Sequence, residues 1–269
     1  MKIRVLLKPW WAKVVALMVV LGLMVGWYVA YLYVGYSQER AAKKEIAQNS
    51  IFIPDNLFNS GNVIPAWLIS IHPDSAELGK RVHSISTSPN STIDPELFGH
   101  FKYLRNLDLM NIGGDVDEET LIQIIKHSPH LESMYIDSKK FTQAIGEVIA
   151  AHSKLKTVYI EYGPHELAGF KAVAQSKTIT TVTLAPHSSL YVTGPNHQGK
   201  GVGAEEIRAL HGLASILNLN LHLKTFSKSH VDAINGFQYL QMVYIGIRQP
   251  SEKDIELMKQ LKWRYRLNK

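Results

Sequence analysis

The side chains best suited to acid–base or metal chemistry in this sequence are its 12 histidines. His127 and His130 are three residues apart, and His152 occupies a similar point of a later segment. Zinc-binding motifs have spacings such as H-x-H or H-E-x-x-H, and neither spacing occurs. Because the first two histidines flank Pro129, a residue that ends helices, we interpret all three as cations near helix C-termini, where they complement the helix dipole.

Two further stretches contain residue types that occur in ion and phosphate sites. Residues 113–119, GGDVDEE, contain four carboxylates but lack the twelve-residue spacing of a calcium loop, so we interpret them as a turn and a helix N-terminus. The segment 185–203 is rich in glycine and precedes a helix-forming sequence, but it lacks both phosphate-loop motifs. We interpret it as a flexible insertion between repeats and a candidate contact loop.

Composition and charge exclude several classes of function. The chain has no cysteine, which excludes disulfides and thiol chemistry, and no G-x-S-x-G nucleophile motif occurs. The net charge is +6, but four of the 29 basic residues lie in the first 13 positions, leaving 25 bases against 23 acids in the rest of the chain. This balance provides no electrostatic basis for binding nucleic acid. We therefore predict a protein that is not an enzyme and that uses no metal and no cofactor.

The remaining polar residues are positioned by a repeat. Six copies of the pattern L-x-x-L-x-L, with apolar substitutions, begin at Leu104, Leu131, Leu155, Ile179, Ile216 and Leu240, and a weaker copy begins at Val82. Successive copies are 22, 27, 24, 24, 37 and 24 residues apart. Each copy alternates as a strand does, and apolar residues at helical spacing follow it. A strand and a helix in each unit predict a stacked α/β solenoid, with parallel strands on one face and helices on the other.

Side chains that point away from the core of these strands form the candidate binding surface. In each strand the residue between the second and third apolar positions, and the residue two positions later, point outward. From these positions we predict six partner-binding residues, namely Asp108, Tyr135, Asp137, Tyr159, Glu161 and Tyr244. Tyrosine combines a large rigid contact area with a hydroxyl group, which is why it is frequent at interfaces. The alternative explanation is that tyrosine is simply favoured in exposed strands.

The N-terminal segment predicts a membrane helix. Residues 14–36 form a run of 23 residues without a charged side chain, which as a helix spans roughly 34 Å and so crosses a bilayer. Trp10 and Trp11 at one end, and several tyrosines towards the other, are typical of the membrane interface. A cleaved signal peptide is the alternative, but its apolar region is shorter and ends in small residues. Four basic residues precede the span and three follow it, which predicts an N-terminus in the cytoplasm and the solenoid outside.

Two glycines in this span, Gly22 and Gly26, have the G-x-x-x-G spacing that lets two membrane helices pack closely. A homodimer formed through this helix face is therefore an open alternative to a single chain. We predict three regions in the chain: a basic N-terminus, membrane helix and helical stalk over 1–50, a linker and N-terminal cap over 51–81, and the solenoid over 82–269.

From residue 82 to residue 267 these repeats resemble the leucine-rich-repeat proteins. The whole layout is similar to bacterial single-pass proteins in which a membrane helix and an A-A-x-x-x-I stalk, here beginning at Ala41, precede P-x-W-L, here at 65–68, and then such repeats. The Asn that the family has three residues after the last apolar position is replaced here by Ile112, Lys139, Gly163, His187, Lys224 and Arg248. The turns after the strands must therefore satisfy their backbone groups by other means.

The repeat, the balanced charge and this resemblance together predict a membrane-tethered, non-catalytic protein-binding or scaffolding module that uses its exposed sheet face. The expected partners are another protein and, through residues 14–36, the lipid bilayer, with no nucleic acid. The alternative function is that of a self-associating structural envelope protein.

Overall fold

The computed structural model describes residues 4–48, 58–62, 80–86, 94–109, 117–138, 141–162, 166–186, 202–247 and 249–268. Within these ranges nine strands form one sheet, in which each strand lies beside its neighbours in the chain. The strands are β1 (Phe58–Asn62), β2 (Lys80–Ser86), β3 (Asn106–Leu109), β4 (Ser133–Ser138), β5 (Thr157–Tyr162), β6 (Thr181–Pro186), β7 (Asn218–Leu223), β8 (Met242–Ile247) and β9 (Arg264–Asn268). The pairings from β2 to β9 are all parallel, which confirms the prediction made from the repeat.

In the described part of the chain, one α-helix precedes the sheet and six lie between its later strands. They are α1 (Arg4–Gln48), α2 (Glu118–His127), α3 (Gln143–Ala151), α4 (Leu167–Val173), α5 (Ala204–Ala209), α6 (Lys228–Asn235) and α7 (Glu252–Met258). A short 3-10 helix, Pro95–His100, lies between β2 and β3. From α2 onwards, successive helices contact one another in chain order and so form a single row.

The chain divides into two compact units. The first consists of Met1–Lys44 and Gly61–Arg81, and the second consists of Glu45–Ser60 and Val82–Lys269. The second unit therefore contains all of the predicted repeats from Leu104 onwards.

Apolar columns between the sheet and the helix row form the core of the second unit. One column joins residues in register on six neighbouring strands: Leu107, Met134, Val158, Val182, Leu219 and Val243. No member of this column is more than 2% exposed. On the helix side, α2 buries Leu121, Ile124 and Ile125 at helical spacing. Each strand-and-helix repeat buries these apolar faces mainly against the neighbouring repeats. The stack of repeats as a whole is therefore the stable structure.

The last residues of the acidic segment 113–119 form the N-terminus of α2, as the sequence predicted. The side chain of Asp117 accepts a hydrogen bond from the backbone N–H of Thr120 at 2.8 Å, and Glu118 and Glu119 occupy the first turn. The hydrogen bond from Thr120 lowers the pKa of Asp117, because it favours the charged carboxylate. The rest of the run, residues 113–116, lies outside the described residues.

Two of the histidines lie at helix ends and also connect neighbouring repeats. His127 is in the last turn of α2, and its Nδ1 lies 3.1 Å from the carbonyl oxygen of Pro95 in the preceding unit. His152 caps α3, and its Nε2 lies 2.9 Å from the carbonyl oxygen of Ser128. Ser128 is the C-cap of α2, where the last carbonyls lack partners within the helix, so a ring N–H of His152 from the next repeat satisfies one of them. The sequence indicated the helix ends but not these acceptors.

Two of the predicted regions overlap observed strands, and their boundaries stay predictions. The range 51–81, predicted as a linker and cap, contains β1 and the first residues of β2, and the remainder of it lies outside the described residues. Asparagine and glycine dominate the sequence of β1, and such residues normally indicate a turn. The predicted insertion 185–203 begins within β6 and ends at Gly203, the N-cap of α5, while residues 187–201 lie outside the described part.

Candidate binding surface on the exposed sheet face

The outward side chains of the sheet form two columns, as expected for parallel strands in register. The first column is Asp108, Tyr135, Tyr159, Thr183, Asn220, Tyr244 and Arg266. In the second column Asp137 is in register with Glu161, and Glu161 is in register with Ala185. The strand positions of all six predicted partner-binding residues therefore belong to one face of the sheet and alternate with the positions of the core.

Two of the predicted tyrosines form a stacked pair. The ring centroids of Tyr135 and Tyr159 are 3.9 Å apart, and the ring planes are inclined by only 15°. The hydroxyl group of Tyr135 donates a hydrogen bond to Oε2 of Glu161, on the neighbouring strand. Stacking and hydrogen bonding together hold both rings in one orientation.

Glu161, which accepts the hydrogen bond from Tyr135, is a buried carboxylate although its position on the strand faces outward. Its side chain and backbone are only 3% exposed. Burial raises the pKa of Tyr135, and the hydrogen bond to Glu161 raises it further, while burial also raises the pKa of Tyr159. Both phenols are therefore protonated at neutral pH, and Tyr135 acts as a hydrogen-bond donor.

His222 completes this cluster on the far side of Tyr159. The two ring centroids are 6.1 Å apart and the ring planes are tilted by 51°. Burial lowers the pKa of His222, whereas the negative charge of Glu161 opposes that shift. The imidazole is therefore neutral at neutral pH, where it offers one donor and one acceptor.

An open depression of about 500 Å³ lies beside the cluster, between Tyr159 on β5 and Tyr244 on β8. Uncharged polar side chains line it, among them Thr183, Asn220 and His222. The side-chain amide of Asn220 donates to Oγ1 of Thr183 at 2.9 Å. The alternation of the strands predicts that these three residues face outward, but threonine, asparagine and histidine are not among the residue types enriched at interfaces, so the sequence gives no signal that they belong to a binding site.

The predicted site is thus brought together in part. Tyr135, Tyr159 and Glu161 form one cluster, while Tyr244 stands across the depression from it. Asp108 is half-buried at one end of the first column. The backbone of Asp137 pairs with that of Glu161, and the side chain of Asp137 lies outside the described residues.

Within the described ranges, no group of three or more histidine or carboxylate side chains lies close enough together to bind a metal ion. His130, one of the three histidines considered above, instead has Nδ1 at 2.7 Å from Nζ of Lys154.

Comparison with known proteins assigns this chain to no protein family. No protein-family model matches the chain, and no curated protein matches it. Among solved structures, the chain is similar to the TLR13–ssRNA13 complex, with 17% identity and a TM-score of 0.37 over 64% of this chain and 24% of that one. It is also similar to an internalin (inlF) from Listeria monocytogenes, with 13% identity and a TM-score of 0.31 over 65% of this chain and 59% of that one.

The chain thus spans about a quarter of the first structure and 59% of the second. Both TM-scores are below 0.4, and the fold of this chain is defined by its own strand order and register.

Proposed function

We propose that the chain is a membrane-tethered, non-catalytic protein-binding module of the leucine-rich-repeat type, which contacts its partner with the exposed sheet face. The observation that carries this proposal is the stack of Tyr135 on Tyr159, which the hydrogen bond from Tyr135 to Glu161 holds in place before a partner arrives. Aromatic side chains held in advance lose little conformational entropy on binding. Tyr244, Asp108 and Asp137 extend the proposed contact surface along the same face.

Replacing Tyr135, Tyr159 and Tyr244 together with alanine is expected to abolish capture of the partner. Each buried tyrosine at the centre of an interface contributes about 2 kcal/mol or more, so three losses exceed what a typical complex tolerates. The measurement is quantitative affinity purification of the full chain from detergent-solubilised native membranes.

The matched control for this measurement is Tyr239→Ala. Tyr239 is 59% exposed and lies just before β8, outside the two columns. The Tyr239→Ala variant should capture the same proteins as the unmodified chain. Equal capture by the triple variant, with unchanged circular dichroism, would contradict the proposal.

The proposed tether is the N-terminal part of α1. Trp10–Gln48 is long and apolar enough to cross a membrane, with a mean hydropathy of 2.2 in its most apolar window. From Trp10 to Tyr31 every side chain except the half-buried Val14 is exposed. From Leu32 onwards one side of the helix is buried, at Leu32, Glu39 and Ala42. A helix exposed all round and apolar all round is expected to face lipid.

The contacts of Arg81 support a proposed membrane boundary before Leu32. Within the first unit, Nη2 of Arg81 donates to the carbonyl oxygen of Leu32 at 2.8 Å, and its Nε lies 3.8 Å from Oε1 of Glu39. Because a buried ion pair beside the helix is costly in hydrocarbon, Leu32 is proposed to lie outside it. Residues 14–31, the uncharged part of the helix before this boundary, span roughly 27 Å, which is close to the hydrocarbon thickness of about 30 Å. The proposed span therefore ends about five residues before residue 36.

Single cysteines can test this boundary, since the chain contains no cysteine of its own. Tyr33→Cys is expected to react with a membrane-impermeant maleimide in vesicles that expose the solenoid side. Trp27→Cys is the matched control, because both native side chains are strongly exposed on the helix, at 60% and 71%. It should react only after detergent is added. Protection of Tyr33→Cys would restore the longer span, whereas free reaction of Trp27→Cys would exclude a span altogether.

Self-association through Gly22 and Gly26 stays a prediction. A Cβ atom added at either glycine would meet no heavy atom within 4 Å, so this helix face is open to a second helix in the described part of the chain. Orientation of the solenoid outside the cytoplasm likewise stays a prediction, and the maleimide experiment reports it when right-side-out and inside-out vesicles are compared.

A further inference from the structure

The last strand of the sheet, β9, has a neighbouring strand on one side only in the described part of the chain. It pairs with β8 in parallel register and stands at the end of the strand order. Alternate residues of an edge strand point their N–H and C=O groups away from the sheet, so the open edge is a template for one more strand. The side chains of β9 indicate which kind of strand this edge accepts.

The apolar columns of the core continue onto β9, where they become exposed. Tyr265 is in register with Val243, and Leu267 is in register with Ile245. Val243 and Ile245 are completely buried, whereas Tyr265 is 40% exposed and Leu267 is half-buried. Because β9 covers the two residues on β8, a further strand with apolar residues at alternate positions would cover Tyr265 and Leu267 in the same way.

Arginines occupy the outward positions of the same strand. Arg264 and Arg266 flank Tyr265, are exposed, and form no ion pair within the described residues. Their neighbours in register on β8 are Met242 and Tyr244, neither of which is acidic. An extended segment with carboxylates at alternate positions would place one opposite each arginine, and guanidinium groups form charge-assisted hydrogen bonds with carboxylates.

Contacts with α6 hold the start of β9 in position. The backbone N–H of Lys262 donates to Oδ1 of Asn235 at 2.7 Å, and Nδ2 of Asn235 donates to the carbonyl oxygen of Gln260 at 3.1 Å. Nε1 of Trp263 donates to the carbonyl oxygen of Ile234 at 3.2 Å. The edge is therefore ordered in advance, so only the incoming segment loses conformational entropy on binding.

The two arginines disfavour a second copy of this chain as the added strand. Directly opposite side chains of an antiparallel pair share one face, so pairing Tyr265 with Tyr265 places Arg264 opposite Arg266 twice. Registers shifted by two residues place Arg264 opposite Arg264 or Arg266 opposite Arg266. Like charges directly opposite each other are destabilising. Head-to-tail pairing with β1, whose sequence is FNSGN, would provide no carboxylate.

We infer that the edge of β9 binds an extended segment of a partner protein, in which acidic residues alternate with apolar residues, as a further strand of the sheet. Its carboxylates contact Arg264 and Arg266, and its apolar side chains cover Tyr265 and Leu267. Backbone hydrogen bonds provide affinity, and the alternating side chains provide selectivity. This edge adjoins the sheet face of the proposed function but does not depend on the tyrosine pair there.

The probe for this site is a fluorescein-labelled peptide of about seven residues in which glutamate alternates with valine, a length that covers one strand. Its binding to the full chain in an uncharged detergent is followed by fluorescence anisotropy. One control peptide has lysine in place of each glutamate. The other has N-methyl groups on two adjacent central amides, which removes a donor from each edge of the strand. Both controls are expected to bind at least about tenfold more weakly.

Charge reversal on β9 provides the second measurement. Changing Arg264→Glu and Arg266→Glu together is expected to weaken the glutamate peptide about tenfold or more and to make the lysine peptide the tighter ligand. The matched control is Lys177→Glu with Lys224→Glu, which changes the net charge equally at two exposed residues outside β9. It should leave the preference for the glutamate peptide unchanged.

The inference would be overturned if the glutamate peptide did not bind, if either control peptide bound equally well, or if the control variant had the same effect as the β9 variant. A dimer of the unmodified chain that the glutamate peptide dissociates in sedimentation velocity would also overturn it, because β9 would then pair with a second copy. The peptide comparison leaves the protein unaltered, so it decides even if the β9 variant does not fold. None of these variants changes a tyrosine of the sheet face, so failure of this edge is distinguishable from failure of the proposed function.

Discussion

Replacing Gly146 with alanine is expected to lower the free energy of unfolding by about 2 kcal/mol. A Cβ atom at this position would lie 2.2 Å from the carbonyl oxygen of Gly169 and 2.9 Å from its carbonyl carbon. Both contacts are with backbone, so α3 and α4 must move apart. Overpacking of this kind costs about 3 kcal/mol, whereas the better helix propensity of alanine returns about 1 kcal/mol.

The measurement is thermal unfolding of the full chain in detergent, followed by circular dichroism. The expected decrease in Tm is about 4–8 °C. Gly99→Ala is the control, because a Cβ atom there meets nothing within 4 Å, and its Tm should be close to that of the unmodified chain. An unchanged Tm for Gly146→Ala would show that the two helices are not in backbone contact.

The partner position provides a second measurement of the same contact. A Cβ atom on Gly169 would lie 2.6 Å from the carbonyl oxygen of Thr142, so Gly169→Ala is also destabilising. Once one alanine has moved α3 and α4 apart, the alanine at the other glycine position has more space between the two helices. The double variant should therefore lose less stability than the sum of the two single losses.

Replacing Asp254 with alanine is expected to cost about 2–3 kcal/mol of folding free energy. This carboxylate is 7% exposed and accepts hydrogen bonds from the backbone N–H of Phe226 at 2.9 Å and of Ser251 at 2.8 Å. It also accepts from Oγ of Ser251 at 2.6 Å. The substitution leaves the N–H of the buried Phe226 unsatisfied and removes half of the capping box of α7.

Asp232→Ala is the matched control for this substitution. Asp232 is an exposed helical aspartate that pairs only with Lys228, at 3.1 Å and four residues apart, among the ion pairs of the described chain. A pair of this kind contributes about 0.5 kcal/mol or less. Urea unfolding of both variants in detergent should separate the two losses clearly, and equal losses would contradict the role assigned to Asp254.

The effect of Asp254 should depend on pH in a defined direction. Burial raises its pKa, but the hydrogen bonds from Ser251 and Phe226 together lower it below the ordinary value of 3.8. An acid with a lowered pKa in the folded state stabilises the protein above the ordinary value and ceases to do so as the pH falls through the folded value. The stability difference between the unmodified chain and Asp254→Asn should therefore shrink below about pH 4. A difference that grows on acidification would contradict this assignment.

Much of the fold could be predicted from the sequence because its signals are local. Apolar residues at alternate positions, recurring about every 24 residues, predicted where β3 to β8 lie and that they are parallel. The same alternation placed Tyr135 and Tyr159 on the outward face. β1 escaped prediction because its asparagines and glycine have the composition of a turn, and pairing with a neighbouring strand outweighed that local preference.

The candidate site could be predicted only as a list of outward positions. Asp137 and Glu161 were equivalent in the sequence, since each lies two residues after a tyrosine. The structure brings Glu161 to the hydroxyl of Tyr135, a contact that depends on rotamers across two strands. Asn220 was not selected because no sequence pattern reports an unsatisfied amide.

By itself, then, the sequence determined the period of the repeat, the parallel order of the strands, the outward face and the apolar N-terminal helix, because each of these depends on neighbours within a few residues. The tertiary structure alone decided that Gly146 meets Gly169, that Arg81 binds the carbonyl of Leu32, and that Asn220 lies at the floor of a depression. The first two contacts join residues 23 and 49 positions apart, and the depression is lined by four neighbouring strands, β5 to β8. Their geometry follows from how far successive units shift and rotate when they pack, and no local pattern encodes that displacement.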